Sequence, residues 1–508
     1  MSITVKYLFL ALLGAAVVGC AVTSDYHPNQ VEVPQRWSDQ QADNASVSQS
    51  AIAWWTMFHD TELNSLIERA VQANLDVRLA RTRLLEVRKQ LGITSASFAP
   101  SLIATASYAR EKESKNAPVP LLVDRNGVIE TPGQSDNLFQ AGLDASWELD
   151  IFGGQRRSIE AARAAVEVAA FERDGVILSL LAEVARTYIE LRTTQRAIAV
   201  ATETLSTRNE LAALVSARYA GGMAPFDEVS RAKFLARQAA AEIPSMESRY
   251  KNAVNRLGTL LGLWPGALAS ELKTPASTPR SSPDFTAGLP SDLLRQRPDV
   301  LRAERKIAVT SALLGVATAD LYPRFSLNGT AGLASVSVRD FFSAGSLLWK
   351  IGPTLTWPIL RRGQVVNTIE VRNLQQQEAL IEYRKIILIA LEEVDNAMGA
   401  HAQQKNRHVS LLAAVNDSEA AVSMSGSRYK GGMADFREVL EARILQLQSQ
   451  TELLHSDSDV ALALVTLYKA VGGGWNAASL GAQTDAFDPA TSCGAASAKG
   501  KQPCSSSP

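Results

Sequence analysis

Past Val18 the sequence has no continuous apolar run of 18 or more residues. A mature chain that crosses a membrane would therefore do so with strands, not with single apolar helices. Charge of one sign is also missing: 51 Lys and Arg against 52 Asp and Glu leave a formal net charge of −1, so nothing points to nucleic acid or to a strongly anionic partner. Histidine is sparse. Of His27, His59, His401, His408 and His455, only His401 and His408 share a helix face by spacing, and a metal site needs three or four ligands. The clustered glycines at 153–154, 221–222, 431–432 and 472–474 form neither GxGxxG nor a Walker loop, and the chain lacks a nucleophile elbow and HExxH. Catalysis, a metal and a cofactor therefore have no support.

What the sequence does contain is a repeat. Residues 218–232 read RYAGGMAPFDEVSRA and residues 428–442 read RYKGGMADFREVLEA, so Arg-Tyr-x-Gly-Gly-Met-Ala recurs 210 positions on. Each copy lies between two long segments of helical periodicity, and paired glycines tolerate positive φ, so both are read as tips of helical hairpins (218–224 and 428–434). Upstream, Asp76-Val77 matches Asp299-Val300 and Pro100 matches Pro323 at an offset of 223, so the first copy carries about 13 extra residues in one loop. The repeats span 53–272 and 289–475, fused into one body and joined by a linker at 273–288, KTPASTPRSSPDFTAG.

Within each copy the period of the apolar pattern changes. Leu63, Leu66, Ile67, Ala70, Val71 and Leu75 have helical spacing, and that pattern runs to about Thr94 before Pro100. In 138–150, Phe139, Ala141, Leu143, Ala145, Trp147 and Leu149 alternate with Gln140, Gly142, Asp144, Ser146 and Glu148, a strand with one apolar and one wet face. Residues 347–357 alternate likewise, and 101–110 and 324–335 supply partner strands, so the strand regions are about 101–150 and 324–357. Such strands fit a membrane barrel wall and fit a soluble sandwich equally well; four strands alone leave edges, so a barrel requires self-association.

After the glycine corners Gly153-Gly154 and Arg362-Gly363 the helical hairpins begin, about 155–262 and 364–471. Ile177, Leu181, Val184, Tyr188 and Leu191 step by four and three, as do Ile387, Leu391, Val394, Met398 and His401, a seam for coiled-coil packing. Pro244 lies in the first return helix where the second has Leu454, which predicts a kink in the first copy only.

At the N-terminus, Lys6 and the apolar run Leu8 to Val18 have the layout of a signal peptide (1–19). Val17-Val18-Gly19-Cys20 resembles a bacterial lipoprotein signal, which would leave Cys20 acylated as the first mature residue, with Ala21 after it favouring the outer membrane. An extended arm follows at 20–52. The tail, 476–508, is rich in Ser, Ala and Gly and reads as disordered; whether its Cys493 and Cys504 form a disulfide stays open.

AWWTMFHDTELNSLIERAVQANLDVRLA, LRQRPDVLRAERKI, LYPRFSLNGTAG, the GGM tips and LYKAVGGGW together resemble the outer membrane factor (TolC/OprM-like) family, and within it the efflux lipoprotein branch. The resemblance runs from about Trp54 to Trp475. It implies a mainly α chain with a membrane β-barrel part: coiled-coil hairpins plus four strands per chain, assembled as a homotrimer with a twelve-stranded barrel and a periplasmic α-barrel. It further implies an exit duct for small molecules working with a periplasmic adaptor and an inner-membrane pump, commonly of the resistance-nodulation-division class, in contact with outer-membrane lipid. A protein-secretion duct and a pore-free periplasmic coiled-coil protein are the alternatives. By the same resemblance Arg218, Gly221, Gly222 and Met223, with Arg428, Gly431, Gly432 and Met433, are candidates for docking the adaptor. Asp435 stands where the first copy has Pro225; it is read either as an acidic pore constriction or as a helix cap.

Overall fold

The computed structural model describes residues 49–112, 114, 135–277, 279 and 296–473. The signal segment, Cys20, most of the linker, and the tail with Cys493 and Cys504 lie outside them. A 3₁₀ segment, Gln49–Phe58, leads into α1 (Thr61–Ala73) and α2 (Leu75–Ala96). Two strands follow, β1 (Ser101–Lys112) and β2 (Ser135–Leu149), then the hairpin of α3 (Gly154–Ala220) and α4 (Phe226–Leu260). The second copy repeats this with α5 (Pro298–Ala319), β3 (Arg324–Ser335), β4 (Leu347–Thr356), α6 (Arg362–Lys430) and α7 (Phe436–Val471). At ~1.5 Å per residue, α3 and α6 are each about 100 Å long, beyond what a compact domain would hold.

The expected break between helix and strand holds, but the first helical stretch is two helices. Asn74 ends α1 and caps α2, its Oδ1 accepting from the Asp76 and Val77 amides at 2.9 and 3.0 Å. The chain changes direction there, and Leu75, counted in the apolar stripe by its spacing, is 62 % exposed. The remaining stripe residues Leu63, Leu66, Ile67, Ala70 and Val71 are buried. Pro244 lies inside α4, which continues as one helix from Phe226 to Leu260.

All four strands form one antiparallel sheet in the order β1-β2-β3-β4. The β2–β3 pairing, Phe139 opposite Ser335 through Leu149 opposite Phe325, joins the two repeats and was not legible in either strand alone. Lateral order carries over to the helices. Each strand adjoins one helix in sequence, and the helices pack in the matching order α2, α3, α5, α6. Toward the tips α4 and α7 flank α3, and α6 packs on α7. The described residues thus form a layer with two free edges, β1 with α2 and β4 with α6.

The main core lies midway along α3, where Ile177, Leu181, Val184, Tyr188 and Leu191 are all buried as their spacing predicts. Trp54, Trp55 and Phe58 and the apolar face of α1 cover it from outside, with Leu257 of α4 and Leu464, Val465 and Tyr468 of α7. Trp54 stacks on Tyr468 at 5.5 Å between ring centroids. In the second copy Ile387 and Val394 are buried, Leu391 and Met398 partly so.

A buried polar knot fastens this belt. Arg192 of α3, 1 % exposed, donates to Glu62 at 2.6 Å, to Gln195 at 2.9 Å and to the Thr274 carbonyl at 2.8 Å. Its guanidinium lies 5.0 Å from the Tyr188 ring centroid. The Tyr188 hydroxyl in turn donates to Asp60, the cap of α1, at 2.9 Å; burial pushes that phenol up from its ordinary value.

Candidate functional site

The two hairpin tips have the same backbone. Where α3 ends, the Met223 amide donates to the Arg218 carbonyl at 2.8 Å and the Gly222 amide to Tyr219 at 2.9 Å, the paired bonds of a Schellman cap. Where α6 ends, Met433 to Arg428 and Gly432 to Tyr429 repeat those bonds at 2.8 and 2.9 Å. Gly222 and Gly432 both adopt φ +70°, a left-handed conformation that strains any residue with a Cβ. A Cβ on Gly221 or Gly431 would come closest to the flexible end of Met223 or Met433, at 3.1 and 3.2 Å. Both methionines are exposed at the apex, and the ring pairs Tyr219–Phe226 and Tyr429–Phe436 brace each turn at 5.6 and 5.2 Å.

Beyond the turn the tips differ. Pro225 and Asp435 precede α4 and α7 in the same extended backbone, but only Asp435 caps its helix, accepting from the Arg437 amide at 3.3 Å. The same carboxylate accepts from the Arg218 guanidinium of the other hairpin. The sequence treats Arg218 and Arg428 as equivalents; the structure separates them, because Arg428 pairs within its own hairpin with Glu438 at 3.4 Å. Two further pairs cross between hairpins, Arg437 with Glu228 at 3.3 Å and Arg443 with Glu203. Each is partly exposed, so each contributes no more than about 1 kcal/mol; together they form a ladder that sets one hairpin against the other.

A second set of equivalent residues lies at the waist, where each return helix meets the helix leading to the sheet. Asn74 Nδ2 donates to the Leu260 carbonyl at 2.9 Å, and Arg297 Nη1 donates to the Ala470 carbonyl at 2.8 Å. Asn74 and Arg297 are equivalent by the 223-residue offset, as Leu260 and Ala470 are by the 210-residue offset. Gly262 and Gly472 stand at the same two junctions, and a Cβ there would meet the Ala73 carbonyl oxygen at 2.9 Å or Arg297 Cα at 3.1 Å. The second junction is ionic: Arg297 also binds Asp299 and Glu393, each at 2.7 Å. Burial alone would raise the Asp299 carboxyl, but the bonds and charge of Arg297 bring it below the ordinary carboxylate value. The stability it contributes is present above that ordinary value and is lost as pH falls through the lowered one.

The sheet has two unlike faces. Rows such as Ala104, Leu143, Ala331 and Trp349 run across all four strands on one face. On the other, Asp144 accepts from Thr105 at 3.1 Å and Thr330 at 2.9 Å, while Ser146 donates to Asn328 and Asn328 to Thr354 at 2.8 and 3.0 Å. Trp147 and Trp357, equivalent in the repeats, donate their indole N–H to the Phe98 and Leu321 carbonyls at 3.0 and 3.1 Å. From Phe139 to Trp147 the alternating face of β2 covers nine residues, within the ~9–11 that a tilted strand needs to cross a bilayer. A sandwich would need a second sheet over this face; among the described residues there is none, and Leu102, Trp349 and Ile351 stay exposed.

Among the described residues no helix is long and apolar enough to cross a membrane, and no group of three His, Cys, Asp or Glu side chains is placed to hold a metal. His408 bonds Asp457 across α6 and α7 at 2.8 Å.

The sequence pattern of the family described as outer membrane efflux protein matches residues 66–263 and 289–473. The chain is 29 % identical over 460 residues to nodulation protein T of Rhizobium leguminosarum bv. trifolii, covering 90 % of this chain and 95 % of that one. It is 30 % identical over 473 residues to the toluene efflux pump outer membrane protein TtgI of Pseudomonas putida, covering 90 % and 96 %. The solved structure of the outer-membrane channel OprN superposes with a TM-score of 0.79 at 30 % identity, over 90 % of this chain and 100 % of that one.

Proposed function

This chain belongs to the outer membrane efflux protein family and is an outer-membrane channel of a tripartite efflux system, and from that premise we propose how its parts form and run the duct. Three copies close into a ring, β4 of one pairing with β1 of the next and α6 packing on α2, to give twelve strands and a continuous helical tube. The observation that carries this is the pair of unsatisfied edges. Among the described residues both edge strands lack a partner, and α6 leaves Leu374, Ile381 and Leu388 exposed at seven-residue steps, a coiled-coil seam that no described residue covers. The polar face with Asp144 then lines the lumen and the Trp-flanked face meets lipid.

The tips, at the far end from the sheet, dock the periplasmic adaptor through Met223, Met433 and the flanking Arg218 and Arg428, with Gly221, Gly222, Gly431 and Gly432 keeping the apex slim enough for close approach. The inner-membrane partner is a pump of the resistance-nodulation-division class and the cargo is a small molecule, as the relative named for toluene efflux suggests. Acyl chains on Cys20 add an anchor; loss of fatty-acid labelling in Cys20→Ser would be the expected result, and retained label would remove the assignment.

Asp435 is the narrow end's charge. In planar bilayers, Asp435→Ala should alter conductance and reduce cation preference, because it removes three carboxylates from the ring and frees three Arg218 side chains. Arg218→Ala keeps the carboxylates and should leave cation preference intact or stronger. Unchanged conductance and selectivity in both variants would mean that the pair is only a structural clasp.

A further inference from the structure

At the end of the sheet farthest from the helices, the loop joining β3 to β4 forms a cleft with β1 and β2. Val338 and Phe341 of the loop line it together with Ala106, Tyr108, Phe139 and Ala141. Of the strand residues at the cleft, these four share the apolar face while Ser107 and Gln140 between them have the other parity, and the Tyr108 and Phe139 rings lie 4.9 Å apart. Phe341 and Phe342 meet edge to face at 5.1 Å. The Tyr108 hydroxyl donates to Asn137 on the same face at 3.1 Å, so the polar tip of the ring points away from the apolar band, as an interfacial tyrosine should.

Cations crown this cleft. Strand alternation places Arg110 and Lys112 on the face of Tyr108, one and two steps further out, and Arg339 adjoins Val338 in the loop. All three are exposed, and none forms an ion pair with a described carboxylate. Glu111 has the parity of the polar face. Counting Asp340 of the loop, the described residues of the rim on the apolar side remain net positive.

An aromatic cleft at the edge of the apolar band, under cations that pair with no described carboxylate, fits a ligand that is both acylated and anionic. We propose that this rim binds a phosphate-bearing lipid of the outer leaflet, one acyl chain lying in the cleft against Tyr108, Phe139 and Phe341 and the phosphate meeting Arg110, Lys112 and Arg339. Arginine forms paired hydrogen bonds to phosphate oxygens, and basic rims beside apolar surfaces hold lipid headgroups in this way. The site rests on the reading of the sheet as a barrel wall, and each protomer supplies one.

The test uses the full-length assembled protein in detergent and native mass spectrometry. The probes are a bis-phosphorylated, hexa-acylated glucosamine disaccharide, its dephosphorylated form, and phosphatidylethanolamine. Up to three copies of the phosphorylated lipid should be retained, with at least tenfold weaker binding of the other two. Arg110→Ala/Lys112→Ala/Arg339→Ala should lose that preference at least tenfold, whereas Phe341→Ala should weaken phosphorylated and dephosphorylated lipid alike. The three basic side chains are exposed and Phe341 is half-buried in the loop, so assembly and conductance should be unchanged in the triple variant, and conductance also checks the barrel reading separately. Equal retention of all three lipids, or undiminished preference in the triple variant of a conducting assembly, would overturn the site while leaving the duct intact.

Discussion

Arg192→Ala should lower stability by about 3 kcal/mol per protomer, seen as a marked drop in the midpoint of thermal dissociation of the assembled protein. The side chain is buried at 1 % exposure and joins three pieces of chain: α3 itself, α1 through Glu62, and the segment at Thr274 after the return helix. Removing it leaves Gln195 and the Thr274 carbonyl without that donor, opens a void against Tyr188 and strips Glu62 of its counter-charge. Glu62 keeps 30 % of its side chain in solvent, which is why the estimate stays at the lower end of the range for a broken buried pair. Arg192→Met, which fills the volume without the charge, should recover part of the loss. A second copy of the test comes from coupling: Arg192→Ala should cost much less when Glu62 is already Gln. A midpoint within error of the native protein in both Arg192 variants would mean that the belt is held by Trp54, Tyr468 and their neighbours alone.

Gly332→Val should leave no mature assembly in the membrane. Gly332 faces Gly142 across the seam between the repeats, and a Cβ on Gly332 would sit 2.5 Å from the Ala141 carbonyl oxygen and 2.7 Å from Gly142 Cα. Both obstacles are backbone, so no rotamer relieves them; the strands must part or slip. A slip by one residue would turn the apolar face of one repeat toward the lumen, and water-exposed and lipid-exposed rows would exchange. Gly329→Ala is the control. It lies on the same strand, but its nearest neighbour, the Lys350 carbonyl oxygen, is 3.8 Å away, and the new methyl would face the apolar side. Heat-resistant oligomers should persist in Gly329→Ala and vanish in Gly332→Val; their persistence in both would show that the β2–β3 pairing tolerates a wider spacing than the structure has.

Features governed by periodicity were readable in the chain, and features governed by distant pairing were not. The seam from Ile177 to Leu191 and the alternation around Trp147 follow from 3.6- and 2-residue periods, and the tips follow from glycine at a position needing positive φ. Leu75 failed because spacing cannot report that Asn74 starts a new helix between two apolar positions. Arg192, four residues from Tyr188 on a long helix, reads as a solvated residue until Glu62, 130 positions away, is brought to it. Arg218 and Asp435 were each named, but as docking and pore residues in separate hairpins; their pairing across 217 positions has no local signal. The Asn74 and Arg297 junctions were the nearest miss, since the offset that aligned Asp76 with Asp299 aligns them too.

The shared lateral order of strands and helices sets the girth of the duct. Neighbouring strands stand about 4.8 Å apart, widened somewhat by barrel tilt, whereas packed helices stand about 8–10 Å apart. A wall with one helix for every strand must therefore broaden as it leaves the membrane, by roughly half or more. Gly153, at φ +83°, lies where β2 gives way to α3, a left-handed turn that strains any residue with a Cβ. The barrel is the neck of the bottle and the helical tube its body.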